Sequence, residues 1–239
     1  MITVLIPTSP IPAHPSTAII DETIANVRMF TGAKIIILFD GVHESLEHRR
    51  IDYEQYKNAV IRNINDGFYG DCDSIEFQEH THQAKMTRWA LAVVETPLIL
   101  FCEHDTSPIG DIPFQDLCNL VAENVTVNYL RFSIFHMILP EHRPLMLGTE
   151  EVNGIKFTRT IQWSQRPHIA KTDWYRKILT DHFHPTHKTM IEDVMHSVVQ
   201  CTYHEKQIDM GLVIYTPEGN ILRSYHSDAR GDDEKIIEA

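Results

Sequence analysis

The sequence predicts an α/β fold, a mostly parallel sheet flanked by helices with a mixed second half. Three observations carry that prediction. Short apolar runs recur at 2–6, 34–39 and 98–102, segments of helical spacing separate them, and IIILF within the second run shows no polar alternation. A strand that reads apolar on both faces belongs to a parallel sheet covered by helices on both sides. With 239 residues, 43% of them hydrophobic, the chain can bury a full core. The reading is one domain over 1–239, with a first half at 1–112 and a second at 113–239.

Residues 2–6 give the first strand, and Pro7 Thr8 Ser9 Pro10 Ile11 Pro12 must leave the sheet as a loop, because prolines withhold ladder donors. Ile19, Ile20, Thr23, Ile24 and Val27 keep helical spacing behind Ser16 as N-cap, with Gly32 as the stop. The second strand, 34–39, closes at Asp40 Gly41. A polar helix over 50–64, a strand at 74–78, a helix at 83–94 and a strand at 98–102 continue the alternation. Beyond Pro113 a helix runs to about Glu123, and 125–135 reads as one long or two short strands. Residues 136–148 read as a Pro- and His-rich loop, and 152–163 as a hairpin strand alternating around Ile155, Phe157 and Ile161. A helix begins near Thr189, a strand follows at 212–215 before a turn at Pro217 Glu218 Gly219 Asn220, and the charged tail from about 228 reads as frayed.

Composition narrows the function. Lys and Arg number 21 against 33 Asp and Glu, a formal charge of −12, which argues against broad attraction to phosphate backbones or anionic lipid. Cys72, Cys102, Cys118 and Cys201 share no CxxC spacing and read as reduced thiols of an intracellular protein. The first residues carry no basic region, and no run approaches the ~18 apolar residues of a spanning helix. The expectation is a cytoplasmic protein without stable membrane insertion.

In parallel sheets ligands bind beyond the carboxyl ends of the strands. Those ends read Pro7 Thr8 Ser9, Asp40 Gly41 and Glu103 His104 Asp105 Thr106. Neither GxGxxG nor GxxxxGK[ST] occurs there, so the dinucleotide fingerprint and the P-loop are both absent. Glu103 and Asp105 stand at alternate positions past a buried strand, where one carboxylate can take a divalent cation and the other a sugar or ribose hydroxyl. A solvated turn produces the same triplet.

In the order of its elements and the placement of these residues, the chain resembles the GT-A glycosyltransferases, especially the inverting family-two type. In that family the first strand ends in a Pro-containing loop against the nucleotide, the second in an acidic residue that reads the base, and the fourth in a DxD. Pro7 and Thr8, Asp40, and Glu103 His104 Asp105 match in turn. The segment His82 Gln83 Ala84 Lys85 Met86 Thr87 Arg88 Trp89 Ala90 Leu91 resembles the family's helix before the DxD strand, which would turn Lys85 and Arg88 toward the nucleotide. The chain departs from the pattern at Glu103, at the bulky His104, and at Asp40, which lacks an acidic neighbour. The metal therefore falls to Asp105 before Glu103.

For the second half the resemblance implies an acceptor site, and Gln162 to His168 offers Trp163 for stacking and Arg166 for hydrogen bonds. A core position would equally suit Trp163. Glu192 Asp193 match an ED pair at a helix start, whose second carboxylate is the general base for the acceptor hydroxyl; helix capping alone would also account for both. His226 matches a C-terminal histidine that closes the metal shell, or is an exposed tail residue. The resemblance implies a GT-A-like, Rossmann-like fold, a nucleotide-sugar donor with a UDP-sugar foremost, and Mn²⁺ or Mg²⁺. The acceptor would be soluble: a saccharide, a protein side chain or a modified nucleobase in nucleic acid. Arg131, Arg143, Arg159, Arg166 and Lys171 could form one basic face for the last of these.

His182, His184 and His187 cluster around Pro185, but with no Cys nearby and no HExxH they read as a substrate loop before a zinc site. Two rivals differ in kind. A nucleotidyltransferase would carry a Gly-rich loop with a Lys after the first strand, which residues 7–12 lack. A non-catalytic sugar- or nucleotide-binding protein would keep the fold and lose the metal and the base.

Overall fold

The structure is a computed structural model and describes residues 1–133, 138–218 and 222–227. Its first half runs β1 (Ile2–Thr8), α1 (Ala18–Phe30), β2 (Ile35–Phe39), a 3-10 turn, α2 (Arg50–Asn65), β3 (Cys72–Glu76), α3 (Gln83–Val93) and β4 (Leu98–Phe101). β1 pairs parallel with β2 and β4, and β2 with β3. Val4, Ile6, Ile35, Ile37 and Phe39 meet Ile20, Ile24, Tyr53 and Tyr56 of α1 and α2 on one face. Leu5, Ile36 and Leu38 meet Ala84, Met86, Ala90 and Leu91 of α3 on the other. Successive side chains thus enter two dry layers, the physical reason for the uninterrupted apolar run.

Pro7 corrects the sequence reading. It lies inside β1, opposite Leu38, and the strand continues to Thr8. The Pro7 carbonyl accepts from the His104 amide at 3.2 Å, past the last β1–β4 pair at Leu5 and Phe101. The missing N–H points to that same side, where β4 has ended, so no ladder bond is lost. α1 starts one residue later than expected, with Thr17 at the N-cap.

The second half adds β5 (Thr106–Pro108), α4 (Phe114–Glu123), β6 (Tyr129–Arg131), β7 (Met146–Val152), β8 (Ile155–Thr160), β9 (His168–Lys171), α5 (Thr172–His182), α6 (Ile191–Lys206), β10 (Leu212–Tyr215) and β11 (Ser224–His226). Nine strands form one sheet in the order β3-β2-β1-β4-β9-β6-β10-β8-β7, and β5 pairs with β11 apart from it. β9 enters antiparallel between β4 and β6, β6 and β10 are parallel, and β8 and β7 close the edge antiparallel. The expected loop at 136–148 gives up its end to β7. β9 and α5 are additions to the sequence reading: four residues are too few to show a period, and α5 carries only the buried stripe Thr172, Tyr175, Ile178 and Leu179. Part of the expected strand at 125–135, part of the turn at 217–220 and the tail from 228 lie outside the described residues. All four cysteines are free thiols. Among the described residues no helix is long and apolar enough to cross a membrane.

Candidate active site

The carboxyl ends of β1, β2 and β4 open onto a cavity of about 370 Å³ whose lining includes Pro7, Thr8, Asp40, Glu103, His104, Asp105 and His226. A larger groove, about 1090 Å³, lies at the opposite ends of the same strands and contains none of them. Ligands of open α/β sheets bind at the carboxyl edge, and the chemistry-bearing residues gather there. The exit of β1 is held by α2: Tyr53 donates to the Thr8 carbonyl at 3.1 Å, and the Tyr56 and Thr8 hydroxyls lie 3.2 Å apart. His14 stacks on Tyr56 with ring centroids 3.9 Å apart. Burial pushes that imidazole down to about 3, so it is neutral packing in the floor of the loop.

Asp40 takes a different role from the one expected. Its carboxylate accepts from the amides of Gly41, Thr81 and His82 at 2.8, 2.6 and 3.0 Å, and His80 Nδ1 lies 3.1 Å from it. With three amides and an imidazole around it, the carboxylate is committed to fixing the connection from β3 into α3, and little of it is left to read a base. The close passage of that connection is also why residue 41 is glycine, since a Cβ there would sit 2.2 Å from the Glu79 carbonyl carbon.

Glu103, His104 and Asp105 follow β4 directly. Thr23 donates to the His104 carbonyl at 2.8 Å, fixing the turn from the side of α1. β11 places His226 opposite Thr106, with Nε2 3.3 Å from Asp105 Oδ2, and the Ser227 amide donates to the Asp105 carbonyl at 2.7 Å. Burial and the neighbouring Asp105 charge push the Glu103 carboxyl up to about 7, with His226 and Arg166 pulling the other way. Among the described residues no group of three or more His, Cys, Asp and Glu side chains is arranged to hold a metal ion. The donor set nevertheless fits a divalent cation shared with a phosphate-bearing ligand: an imidazole and a carboxylate converge, and the crowded negative charge is of the kind a cation relieves.

The acidic pair on α6 is brought to the same region. Glu192 accepts from the Gln165 amide at 3.2 Å, and its charge bears on Glu103 and Arg131. Asp193 is exposed, and its charge bears on His82, which lines the cavity. Sequence reasoning missed the residue that links this helix to the donor side. Gln83 is 4% exposed, donates to Glu103 Oε1 at 2.6 Å and accepts from the Ile191 amide at 3.1 Å. It lay within the segment singled out for Lys85 and Arg88, where an uncharged amide gave no signal.

Three expected contacts are not formed. Arg88 donates to the carbonyls of Leu179 and Phe183 at the end of α5, so its charge serves the last carbonyls of that helix and not the nucleotide. Lys85, half-buried, is not part of the cavity wall. Trp163 is fully buried, packed against Tyr129 and Trp174, with its indole N–H donating to Gln165 at 3.0 Å, so no sugar can stack on it. Arg166, by contrast, precedes β9 beside Phe101 and lies close enough for its charge to act on Glu103. Three of the five residues of the expected basic face are committed to the protein: Arg131 is buried, Arg159 pairs with Glu150 and Asp209, and Lys171 donates to the Asn124 carbonyl at the end of α4. His182 ends α5, and His184 bonds Thr186, with His187 beside it.

No protein-family model matches the sequence, and no curated protein matches it. Solved structures do. A mannosyltransferase from Pyrobaculum calidifontis, in complex with GDP-Man and Mn²⁺, is 14% identical with a TM-score of 0.56 over 90% of this chain and 54% of that one. TarS from S. aureus in complex with UDP-GlcNAc is 13% identical, TM-score 0.55, over 99% and 64%. GalNAc-T7 with UDP, GalNAc and Mn²⁺ is 8% identical, TM-score 0.56, over 90% and 42%. The chain thus has the GT-A fold and spans between 42% and 64% of the length of these proteins.

Proposed function

We propose that this protein transfers a glycosyl group from a nucleoside diphosphate sugar, a UDP-sugar foremost, to an acceptor hydroxyl. One observation carries the reading: Pro7 and Thr8, the Glu103 to Asp105 triplet and His226 share one cavity at the carboxyl edge of the parallel strands, with the start of α6 tied to it. The GDP-Man, UDP and UDP-GlcNAc complexes of structures with the same fold support the donor class.

Asp105 and His226 would hold a divalent ion, Mn²⁺ or Mg²⁺, which supplies positive charge to a leaving diphosphate. Pro7 and Thr8 bound the nucleotide end, and Glu103 accepts a hydroxyl of the sugar or ribose. The acceptor oxygen attacks the anomeric carbon as the bond from that carbon to the diphosphate breaks; the bonding pair departs with the nucleoside diphosphate. The acceptor proton passes to Asp193, whose exposed place at the start of α6 leaves it open to an incoming substrate. One displacement inverts the anomeric centre. Arg166 is the acceptor-side cation, and a saccharide or protein hydroxyl suits the site better than nucleic acid, since Arg131, Arg159 and Lys171 are committed elsewhere.

Calorimetry of the protein with UDP, GDP, ADP, CDP and their sugars, with and without Mn²⁺, tests the donor. A uridine ligand that stabilises the fold only with Mn²⁺ is expected. Binding indifferent to metal would remove Asp105 and His226 as ligands, and silence across the panel would leave the non-catalytic reading in possession.

A further inference from the structure

Gln83 spans the donor side and the base side of the site. It opens α3 and lines the cavity, and its two amide atoms face opposite ways: Nε2 to Glu103 and Oε1 to the Ile191 amide. Ile191 is the first residue of α6, and its N-cap, Met190, offers no side-chain cap. A helix-start donor that would lack an intrahelical partner thus receives its acceptor from a distant element. The backbone repeats the link one residue on, where the Ala84 amide donates to the Thr189 carbonyl at 3.2 Å. The side-chain amide has one workable orientation, because the reverse sets its NH₂ against an N–H and its oxygen against a carboxylate. Glutamate would place a second charge beside Glu103, asparagine is one methylene short, and methionine fills the volume with no donor.

We infer that Gln83 is a positioning residue, setting the spacing between the donor-side carboxylate Glu103 and the Glu192–Asp193 pair on the first turn of α6. The inference rests on the glycosyl-transfer reading. Transfer needs the acceptor oxygen within roughly 3–3.5 Å of the anomeric carbon when its proton leaves, and such a distance is only as firm as the element that carries the base.

The test compares Gln83→Met, Gln83→Glu and the pair Gln83→Glu with Glu103→Gln, by steady-state kinetics and by hydrogen exchange at the Ile191 amide. In Gln83→Met, kcat is expected to fall about 10–100-fold with KM for the nucleotide-sugar changed less than about 3-fold, and the Ile191 amide exchanges faster. A role in stability alone would lower Tm and leave kcat at a permissive temperature intact. At a pH high enough to ionise both carboxyls, Gln83→Glu alone also unprotects Ile191, because repulsion from Glu103 drives the new carboxylate off that amide, and the pair restores protection, since the new carboxylate accepts from both the Ile191 amide and the new amide at 103. Unchanged Ile191 exchange in Gln83→Met, a pair no better protected than Gln83→Glu, or an unchanged kcat would each overturn the inference. Wild-type protein that transfers sugar from no donor removes the transferase reading, and the Ile191 amide then decides the bridge by itself.

Discussion

From β3 to β4 every neighbour is parallel, and from β4 to β7 only one pairing is. In the parallel part all strand ends fall on one edge, so the residues after β1, β2 and β4 meet as a consequence of topology. In the mixed part the residues proposed for the site come from unlike places: Arg166 before a strand, Glu192 and Asp193 at a helix start, His226 at the end of a short strand outside the main sheet. The parallel region builds its side of the site from chain order, and the mixed region from register and capping. Polar side chains in both regions also hold elements together, as Asp40 does with three backbone amides and Arg159 with Glu150 and Asp209.

Asp193→Asn should break the comparison most sharply, with transfer falling about 10²–10⁴-fold while nucleotide affinity is kept. Turnover near wild type would move the base to Glu192, whose charge bears on Glu103, and Glu192→Gln would then show the loss. Trp163→Ala is expected to cost about 3–5 kcal/mol of stability in denaturant titrations, as for a fully buried aromatic. An altered acceptor KM with stability intact would restore Trp163 to the acceptor site. Arg88→Met should lower stability by roughly 1–3 kcal/mol through the two carbonyls it abandons, leaving UDP affinity unchanged. Weaker nucleotide binding by a fully folded Arg88→Met would return this residue to the donor side.

Glu103 adds a pH dependence. The folded state holds the Glu103 proton more tightly than the unfolded chain, since its carboxyl is raised from 4.5 to about 7. The protein therefore loses stability as pH rises through that window, and nothing further from this group above it. Glu103→Gln lacks the penalty, so in EDTA its Tm should exceed that of wild type at pH 8, with the advantage fading toward pH 4. An equal Tm difference at both pH values would show that Glu103 ionises without cost.

Much of the strand-end cavity was legible because its signals are local. IIILF announces a strand buried on both faces, and Glu103 to Asp105 follow the next such strand immediately. The roles of Asp40, Arg88 and Trp163 were misread for one shared reason. An Asp after a strand, an Arg on a helix and a Trp near polar residues have the same composition whether they face a ligand or the protein's own backbone. Gln83 was invisible from the opposite side, as a neutral amide whose meaning lies 108 positions away at Ile191. β9 escaped because four residues carry no period, though it is the strand that joins the two parts of the sheet.

By itself the sequence determined the parallel α/β core and the carboxylates that arrive at its carboxyl edge, because hydrophobic periodicity and strand-end position are properties of adjacent residues. Only the tertiary structure decided which polar groups are spent on the protein and which are left for a substrate. Hydrogen-bond satisfaction is a sum over all partners in space, and a buried donor or acceptor takes whichever partner the fold brings to it.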